Sequence, residues 1–365
     1  MSNINVIELL YIAKERRASD LHLVASSPAL FRIDGALVPA NGTQPLDPED
    51  IEKAFIELTT ENDRNYFKEH QELDFAYSMP GAGYFRCNAA RQRGAISLAI
   101  RLLPPKVPTI DELELPQICK HLIMRKRGLI ITTGPTGSGK STTLAAMIQH
   151  LNLTESRHII TIEDPIEYVY TPVKCAVTQR ELGKDTLSYP KALRHILRQD
   201  PDVILVGEMR DADTASAVIN VAETGHLILT TGHAPSAAQA MERVIDLFPP
   251  HERPLVQSRL ASLLVGVLCQ SLVPRADDTG RIAAVEVMLA NTAVKNLIRE
   301  GKIYQLDNVI RTYTNIGMVS MDEALVRLYL KGMITGKTLF EFCNDRKEIS
   351  RLIEQPKKKP AVDQT

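Results

Sequence analysis

Several features that define specialised protein classes are missing from this chain of 365 residues. It has no tryptophan and only five cysteines, and no Cys-x-x-Cys pair, which argues against a zinc ribbon and a disulfide framework. Its longest uncharged apolar run, Leu260–Pro274, is shorter than the ~20 residues that span a bilayer. Excess charge is also absent, because 43 Lys and Arg balance 44 Asp and Glu. We therefore expect a cytoplasmic protein with reduced thiols, no zinc, no transmembrane segment and no nucleic-acid partner.

The chain length and one proline-rich stretch predict two domains, since a domain usually has roughly 100–200 residues. Pro104, Pro105 and Pro108 cannot continue a helix or a central strand. The C-terminal end is rich in lysine and proline and is expected to be disordered. The predicted organisation is a first domain over 1–103, a linker over 104–110, a second domain over 111–354 and a tail over 355–365.

The first domain has the pattern of an α+β fold. Helical spacing of apolar residues predicts helices over Val6–Ala13 and Ile51–Tyr66. Alternating apolar residues and turn signals predict a small sheet. Its predicted strands are Leu21–Val24, the hairpin of Phe31–Ile33 and Ala36–Val38 around Asp34-Gly35, and the hairpin of Tyr84–Ala90 and Ala95–Leu102 around Arg93-Gly94.

The second domain has the pattern of a parallel α/β fold, in which near-continuous apolar strands alternate with helices. After residue 290 the pattern becomes helical, with Asn291 as N-cap and Gly301 as C′ residue around Ala293–Glu300. Ser320 and Glu323 predict a capping box before the next helix. The predicted parallel strands are Leu129–Thr133, Ile159–Ile162, Val203–Val206 and Leu227–Thr230.

A phosphate-binding motif follows the first of these strands. It matches G-x-x-x-x-G-K-[ST] and opens a predicted helix over Thr142–Leu151, which is the required context. Backbone N–H groups of such a loop bind phosphates, while Lys140 reaches the β- and γ-phosphates and the Ser141 hydroxyl binds Mg²⁺. A dinucleotide fingerprint is excluded, because Thr142 stands where Gly or Ala is needed. The predicted site for ATP and Mg²⁺ consists of Gly134, Pro135, Thr136, Gly137, Ser138, Gly139, Lys140, Ser141 and Thr142.

Three further candidates follow the other predicted strands. Glu163 is the leading candidate for general base, and Glu208 is the alternative candidate. Glu208 also follows a Walker B-like strand and is suited to hold Mg²⁺, partly through water. His233 is placed to contact the γ-phosphate, whereas His226 lies at the other end of the same strand, so no metal pair is expected. Each residue alone also suits an ordinary loop. Because ligands bind outside the carboxyl ends of parallel strands, candidates that share this edge favour one common site.

Transfer of a phosphoryl group also needs cations that stabilise the charge on the γ-phosphate. A surface ion pair is the alternative explanation for any single arginine. The candidates outside the loop are Arg86, Arg91, Arg93 and Arg101 in the first domain and Arg194, Arg198 and Arg210 in the second.

These motifs, in this order, resemble the secretion ATPase superfamily of type II secretion and type IV pili, and within it the PilT-type retraction ATPases. The resemblance covers nearly the whole chain and assigns the role of arginine fingers to Arg86 and Arg101. The matching segments are Thr161–Glu167 for the Asp box, Arg198–Asp211 for Walker B, Ala222–His233 for the His box, Tyr84–Asn88 and Ile100–Pro104 for the arginine fingers, and Ala293–Glu300 for the C-terminal helix motif of retraction ATPases.

The resemblance implies a PAS-like α+β N-terminal domain, a RecA-like P-loop ATPase domain with C-terminal helices, and a homohexameric ring. It implies an ATP-driven motor for type IV pilus retraction and twitching motility, peripheral at the cytoplasmic face of the inner membrane. The implied partner is the pilus platform protein in that membrane, with a second retraction ATPase as a further candidate.

Other functions stay open at this point. Assembly and type II secretion ATPases usually carry a four-cysteine zinc insertion and extra N-terminal domains, which this chain lacks; a PilU-type accessory retraction ATPase remains an alternative. A PAS-type sensor with a degenerate P-loop is disfavoured by the intact Lys140, Glu163 and Glu208.

Two segments depart from the family pattern. In the His box, Gly232 stands where Leu is usual, and Ala234-Pro235 replaces Thr-Asn. We expect Gly232 to loosen the backbone beside His233. In the C-terminal helix motif, Val294-Lys295 replaces Ile-Arg, which is a mild change.

Overall fold

A computed structural model describes residues 5–33, 35–40, 44–79, 83–104 and 106–354. The chain divides into two compact units, Met1–Lys106 and Val107–Thr365. Three predicted features lie outside the described residues, namely Asp34 of the first hairpin turn, Pro105 of the linker and the tail over 355–365.

The first unit contains an antiparallel sheet and three described helices. The sheet has the order β3-β2-β1-β6-β5-β4, and each neighbouring pair is antiparallel. The α+β prediction for this part of the chain is therefore confirmed. The elements are α1 Val6–Glu15, β1 Asp20–Leu23, β2 Leu30–Ile33, β3 Ala36–Pro39, α2 Pro48–Leu58, α3 Glu61–His70, β4 Glu72–Met79, β5 Gly83–Gln92 and β6 Ala95–Leu102.

One face of this sheet forms the core of the first unit. Phe85, Cys87 and Ala89 of β5 are buried, together with Leu98 and Ile100 of β6. Because successive side chains of a strand point to opposite faces, the residues between them lie on the other face. That other face is largely exposed and carries charged residues of β5 and β6.

The predicted helix over Ile51–Tyr66 is wrong, because the structure has two helices there, α2 and α3. Thr60 is the N-cap of α3: its side chain accepts a hydrogen bond from the N–H of Asp63, and the Asp63 carboxylate accepts one from the N–H of Thr60 at 2.9 Å. This reciprocal capping starts a new helix inside an otherwise helical pattern. The break also allows Phe55 and Phe67 to pack with their ring centroids 4.9 Å apart.

The second unit is built on a sheet of seven strands with helices on both faces. Its strand order is β13-β12-β7-β11-β10-β8-β9; β12 and β13 are antiparallel and all other neighbours are parallel. The elements up to the last strand are α4 Ile118–Ile123, β7 Gly128–Thr133, α5 Lys140–Thr154, β8 His158–Glu163, β9 Ala176–Glu181, α6 Tyr189–Ile196, β10 Val203–Val206, α7 Ala212–Glu223, β11 Leu227–Thr231, α8 Ala237–Asp246, α9 Arg253–Leu263, β12 Leu264–Pro274 and β13 Arg281–Leu289.

The four predicted parallel strands are confirmed as β7, β8, β10 and β11, which are neighbours in the sheet. Every residue of β7, β10 and β11 is buried, as expected for strands covered on both faces. Strands β9, β12 and β13 were not among the predicted strands. The apolar run Leu260–Pro274 is divided in the structure between the last turn of α9 and the whole of β12.

The C-terminal part is helical, as predicted. Asn291 caps α10 by accepting a hydrogen bond from the N–H of Val294 at 2.9 Å. The capping box at Ser320 is only half formed: its hydroxyl accepts from the N–H of Glu323, but the Glu323 carboxylate pairs with Arg327 at 2.7 Å, a charged donor one turn along the helix. The helices are α10 Thr292–Arg299, α11 Leu306–Thr312, α12 Met321–Leu330, α13 Gly336–Phe342 and α14 Arg346–Glu354, with 3₁₀ turns at Ile303–Gln305 and Thr314–Ile316.

No helix within the described residues is long and apolar enough to cross a lipid bilayer.

Candidate active site

The predicted phosphate-binding loop connects β7 to α5. Gly134 has a φ of +143°, and a side chain there would collide with the carbonyl oxygen of Gln270 on β12, so this position requires glycine. The Gln270 side chain donates a hydrogen bond to the Thr143 hydroxyl at 2.8 Å, which ties α5 to the same strand. The first N–H groups of α5 have no intrahelical partners, and a helix N-terminus favours an anion. The loop and helix therefore form a fixed site for phosphate.

Lys140 is held within this loop. Its ammonium donates hydrogen bonds to the carbonyl oxygens of Gly134 at 2.9 Å and Pro135 at 3.0 Å, which leaves one of its three protons for a phosphate oxygen. Burial lowers the pKa of Lys140, and the negative charge of Glu208 opposes that shift. The hydroxyl of Ser138 is buried and has no hydrogen-bond partner among the described residues. A bound phosphate would accept the remaining proton of Lys140.

The loop, Glu163, Glu208 and His233 line one cleft of about 270 Å³ at the carboxyl edge of the sheet. Glu163 is the last residue of β8, and the other two follow β10 and β11. Four chain segments that the sequence placed at one edge thus enclose a common space. Three tyrosines that were not among the predicted site residues, Tyr168, Tyr170 and Tyr189, also line this cleft.

Glu208 is engaged with two other side chains of the cleft. Its side chain is only 13% exposed and forms an ion pair with Arg210, which was one of the candidate cations. Its Oε2 lies 3.2 Å from Nε2 of His233. Both carboxylate oxygens of Glu208 are therefore engaged by cleft side chains, Oε1 by Arg210 and Oε2 by His233.

Glu163 has a different environment at the end of β8. Its carboxylate accepts a hydrogen bond from the side chain of Gln179 on β9 at 3.3 Å. Burial raises the pKa of Glu163 to about 7. A carboxylate with a pKa near the working pH is an efficient general base. The burial of Glu163 supports its assignment as general base, which stays a prediction.

Hydrogen bonds fix the backbone on either side of Gly232, contrary to the expectation that this glycine loosens the backbone beside His233. The Thr133 hydroxyl accepts from the N–H of Ala234 at 2.7 Å and donates to the carbonyl of the same residue at 3.0 Å. The Arg243 guanidinium donates to the carbonyl of His233. These contacts hold the loop after β11 at the edge of the sheet, where the His233 side chain faces Glu208.

His226 lies before β11, at the opposite edge of the sheet, and its Nδ1 is 2.8 Å from the Thr224 hydroxyl. Across the described ranges, no three His, Cys, Asp or Glu residues are grouped as metal ligands. The cysteines are also dispersed, with Cys87, Cys119, Cys175 and Cys269 buried and Cys343 half-buried. The absence of a zinc site stays a prediction.

The two predicted arginine fingers lie in the first unit. Arg86 on β5 and Arg101 on β6 are directly opposite each other in the register of the antiparallel pair. Arg101 donates to the carboxylate of Asp20 on β1 at 2.9 Å, whereas Arg86 is exposed and forms no ion pair in the described part of the chain. Burial raises the pKa of Asp20, but hydrogen bonds from Ser19 and Arg101 outweigh it, so the pKa is lowered overall. Asp20 had no signal in the sequence.

The remaining candidate cations have other surroundings. Arg91 donates to the carbonyl of Gly94 at 3.1 Å, and its guanidinium lies 5.5 Å from the centre of the Phe67 ring. Arg93 is a turn residue with a φ of +49°. Arg194 and Arg198 are exposed on α6 and in the turn after it, and they do not line the cleft. Of the three candidates in the second unit, Arg210 lines the cleft.

Comparison with known proteins gives a consistent result. The family described as "Type II/IV secretion system protein" matches residues 7–318. The chain is 43% identical over 331 residues to "Type IV pilus retractation ATPase PilT" from Pseudomonas aeruginosa, covering 91% of this chain and 96% of that protein. It is 40% identical over 347 residues to "Type IV pilus ATPase PilU" from the same bacterium, covering 95% and 91%. A crystal structure of the pilus retraction motor PilT with bound ADP superposes with a TM-score of 0.88 at 43% identity, covering 95% of this chain and 99% of the other.

Proposed function

The chain belongs to the Type II/IV secretion system protein family, and on that premise we propose that it is an ATP-hydrolysing motor that retracts type IV pili. Its reaction is the hydrolysis of ATP to ADP and phosphate. The observation that carries the proposal is the cleft in which the phosphate-binding loop, Glu163 and Glu208 meet. The similarity to PilT with bound ADP, which extends over 95% of this chain, supports nucleotide binding in that cleft.

In the proposed mechanism the loop amides, Lys140 and Ser138 bind the phosphates. The hydroxyl of Ser141 and the carboxylate of Glu208 are the hard oxygen donors that Mg²⁺ prefers, so these two residues fit the ion. When bound, Mg²⁺ neutralises charge on the β- and γ-phosphate oxygens. Glu163 accepts the proton of the attacking water, and its pKa of about 7 suits that step. His233 orients Glu208 and reaches towards the γ-phosphate.

The first unit is proposed to supply Arg86 and Arg101 as arginine fingers. Like charges directly opposite each other on neighbouring strands destabilise a sheet, and Asp20 is bonded to only one of this pair. A bound γ-phosphate would relieve the remaining repulsion. We propose that hydrolysis removes this attraction within a homohexameric ring, and that the resulting domain motion is the power stroke.

Helix α10 is proposed to couple this motion to the pilus machinery. Val294 and Ile298 are fully buried against the core, while Arg299 is exposed. Lys295 lines a second cavity of about 700 Å³, together with Arg125, Lys126 and Arg127. This basic cavity lies at the amino edge of the sheet, opposite the catalytic cleft. The proposed partner is the platform protein at the cytoplasmic face of the inner membrane.

An accessory, PilU-type motor is the second candidate, because the chain is 40% identical to PilU over 95% of its length. Deletion of the gene in its own host tests both functions. Excess, unretracted pili that return to normal with the parent gene but not with Lys140→Ala support a retraction motor. Retraction that continues without the gene supports the accessory function, and loss of pili would contradict both and indicate an assembly ATPase.

A further inference from the structure

Gln179 bonds to the candidate general base, although it lies outside the motifs found in the sequence. It belongs to β9, the edge strand that runs parallel to β8. Its Nε2 atom donates one hydrogen bond to Oε1 of Glu163 at 3.3 Å and another to the carbonyl oxygen of Tyr168 at 2.8 Å. Its Oε1 atom accepts a hydrogen bond from the N–H of Tyr170 at 3.0 Å. Both donors of this amide are therefore used, and so is its oxygen.

Backbone groups fix which end of the Gln179 amide faces Glu163. A backbone N–H can only donate and a backbone carbonyl can only accept. The N–H of Tyr170 must therefore face the amide oxygen, and the carbonyl of Tyr168 must face the amide nitrogen. Rotating the amide by half a turn would lose both bonds. The nitrogen, and with it a hydrogen-bond donor, is thus directed at the carboxylate of Glu163.

The segment between β8 and β9 is tied to its surroundings at two further points. The N–H of Ile166 donates to the carboxylate of Glu181 on β9 at 3.2 Å. The hydroxyl of Tyr168 lies 3.1 Å from the hydroxyl of Thr142 in the first turn of α5. The amide that reaches Glu163 is therefore anchored in a segment that is itself bonded to the phosphate-binding helix.

A donor at this position changes what the Glu163 carboxylate can do. Burial raises the pKa of Glu163 first of all, and the hydrogen bond from Gln179 opposes that rise, because a donor favours the charged form. The bond also restricts rotation of the carboxylate, since one of its oxygens is held. A general base must lie within hydrogen-bond reach of the proton that it takes, so a fixed orientation favours the transfer.

We propose that Gln179 is a positioning residue, whose amide nitrogen holds the Glu163 carboxylate in the orientation that accepts a proton from the attacking water. The inference rests on the proposed ATPase function, with Glu163 as its general base. The proton passes from water to Glu163, the water oxygen forms the new bond to phosphorus, and the bond to the β-phosphate oxygen breaks with its electron pair leaving on ADP. Gln179 itself gains and loses no proton.

The experiment compares Gln179→Met with the parent in the full chain, because methionine has a similar length and no amide. At about pH 9, where Glu163 is charged in both proteins, we expect kcat to fall about 10-fold from the loss of orientation. The KM for ATP should stay within about two-fold, since the phosphate-binding loop is unchanged. The midpoint of the rise of kcat/KM with pH should move up by about one pH unit. The charged groups that share the cleft with Glu163, and that the substitution leaves in place, are Lys140, Asp164, Glu167, Glu208, Arg210 and His233.

Glu181→Ala is the matched control. Glu181 lies on the same strand as Gln179 and holds the same segment, but its carboxylate bonds to the N–H of Ile166 rather than to Glu163. We expect kcat within about two-fold of the parent and the same midpoint pH, because the orientation of the base is kept. An equal loss of kcat in both variants would show that a loosened segment is the cause, and would overturn the inference.

A second substitution, Gln179→Glu, separates the donor from the support of the segment. It keeps an oxygen that accepts from Tyr170, but it loses the donor and places a second carboxyl beside Glu163. The midpoint pH should therefore rise further than in Gln179→Met, because like charges disfavour ionisation. A purely structural role predicts the reverse order, since this variant keeps more of the native bonds.

The Glu163→Gln enzyme completes the test. If Gln179 acts through the Glu163 carboxylate, Gln179→Met should slow the Glu163→Gln enzyme much less than it slows the parent. Full additivity, an unchanged kcat and midpoint pH, or a raised KM with unchanged kcat would each overturn the inference. An inactive parent protein would instead overturn the proposed function.

Discussion

The two sheets expose their charged residues in different ways. In the antiparallel sheet, alternation along β5 and β6 places Arg86 and Arg101 on the strands themselves, on a face that is open to solvent. In the parallel sheet, β7, β10 and β11 are buried on both faces, so polar chemistry is confined to the loops at one edge. The first arrangement gives a cationic face whose geometry is set by strand register. The second gives a cleft whose geometry depends on hydrogen bonds within loops.

The largest effect on ATP hydrolysis should come from a substitution in the phosphate-binding loop. Lys140→Ala is expected to abolish ATP hydrolysis, because the loop loses the cation that reaches the γ-phosphate. Steady-state phosphate release measures this, with Lys191→Ala, an exposed lysine on α6, as the control. Turnover within a few-fold of the parent would show that this loop does not bind the reacting nucleotide.

The face of the first sheet is tested by Arg86→Ala and Arg101→Ala. Nucleotide binding should persist, since the phosphate-binding loop belongs to the other unit, while turnover should fall by ~10³-fold if both act as arginine fingers. Binding of a fluorescent ATP analogue and phosphate release give the two readouts. Lys53→Ala, an exposed cation on α2 of the same unit, is the control. Normal turnover in both arginine variants would show that Arg86 and Arg101 do not act as arginine fingers.

The two carboxylates of the cleft can be ranked by amide substitution. Glu163→Gln and Glu208→Gln should both bind ATP and hydrolyse it ~10²-fold more slowly or worse if a general base is lost. Since burial raises the pKa of Glu163 to about 7, kcat/KM of the parent should rise with pH to a midpoint near 7. Glu163→Gln should lose this rise and Glu208→Gln should keep it. The reverse result would assign the base to Glu208.

The burial of Glu163 should also change the free energy of unfolding, although this effect is smaller than the effect on turnover. A carboxyl whose pKa is raised from 4.5 to about 7 by folding favours the folded state below pH 4.5. That contribution is lost as the pH rises through 7. Glu163→Gln should therefore be more stable than the parent by ~1–3 kcal/mol at pH 8 and equal to it near pH 4.5. Denaturant unfolding at both pH values checks this, and a pH-independent difference would mean that Glu163 is not buried in its charged form.

The smallest effect in vitro is expected at α10. Charge reversal by Lys295→Glu and Arg299→Glu lies outside the buried stripe and should spare folding, ring assembly and ATP hydrolysis. In cells, retraction should fail, because these residues face the proposed partner. Twitching on agar and pilus counts by microscopy provide the readouts. Normal twitching in both variants would leave α10 with a structural role alone.

Prediction from sequence succeeded where the signal is local. A strand followed at once by a glycine-rich loop or an acidic residue places that residue at the carboxyl edge, which is why Lys140, Glu163 and Glu208 could be proposed together. It failed where the decisive partner is distant: Arg101 and Asp20 are 81 positions apart along the chain.

Missed elements have similar physical causes. Strand β9 lies at the edge of the sheet, and its residues are exposed or half-buried, so it lacks the continuous apolar run of its neighbours. Strand β12 follows α9 without a turn, and the apolar run already begins at Leu260 in the last turn of α9, so no change of pattern marks the boundary at Leu264. The break at Thr60 shows that a capping signal can override helical spacing.

The close contact between Gly134 and the carbonyl oxygen of Gln270 has a consequence for biosynthesis. Strand β7 is the first strand of its sheet to leave the ribosome, yet both of its neighbours, β11 and β12, are translated later. The hydrogen bond from Gln270 to Thr143 spans 127 positions of the chain. A nascent chain that ends before residue 264 therefore contains the entire phosphate-binding motif without the strand that shapes it. We therefore expect a nascent chain to bind nucleotide only after β12 has been translated.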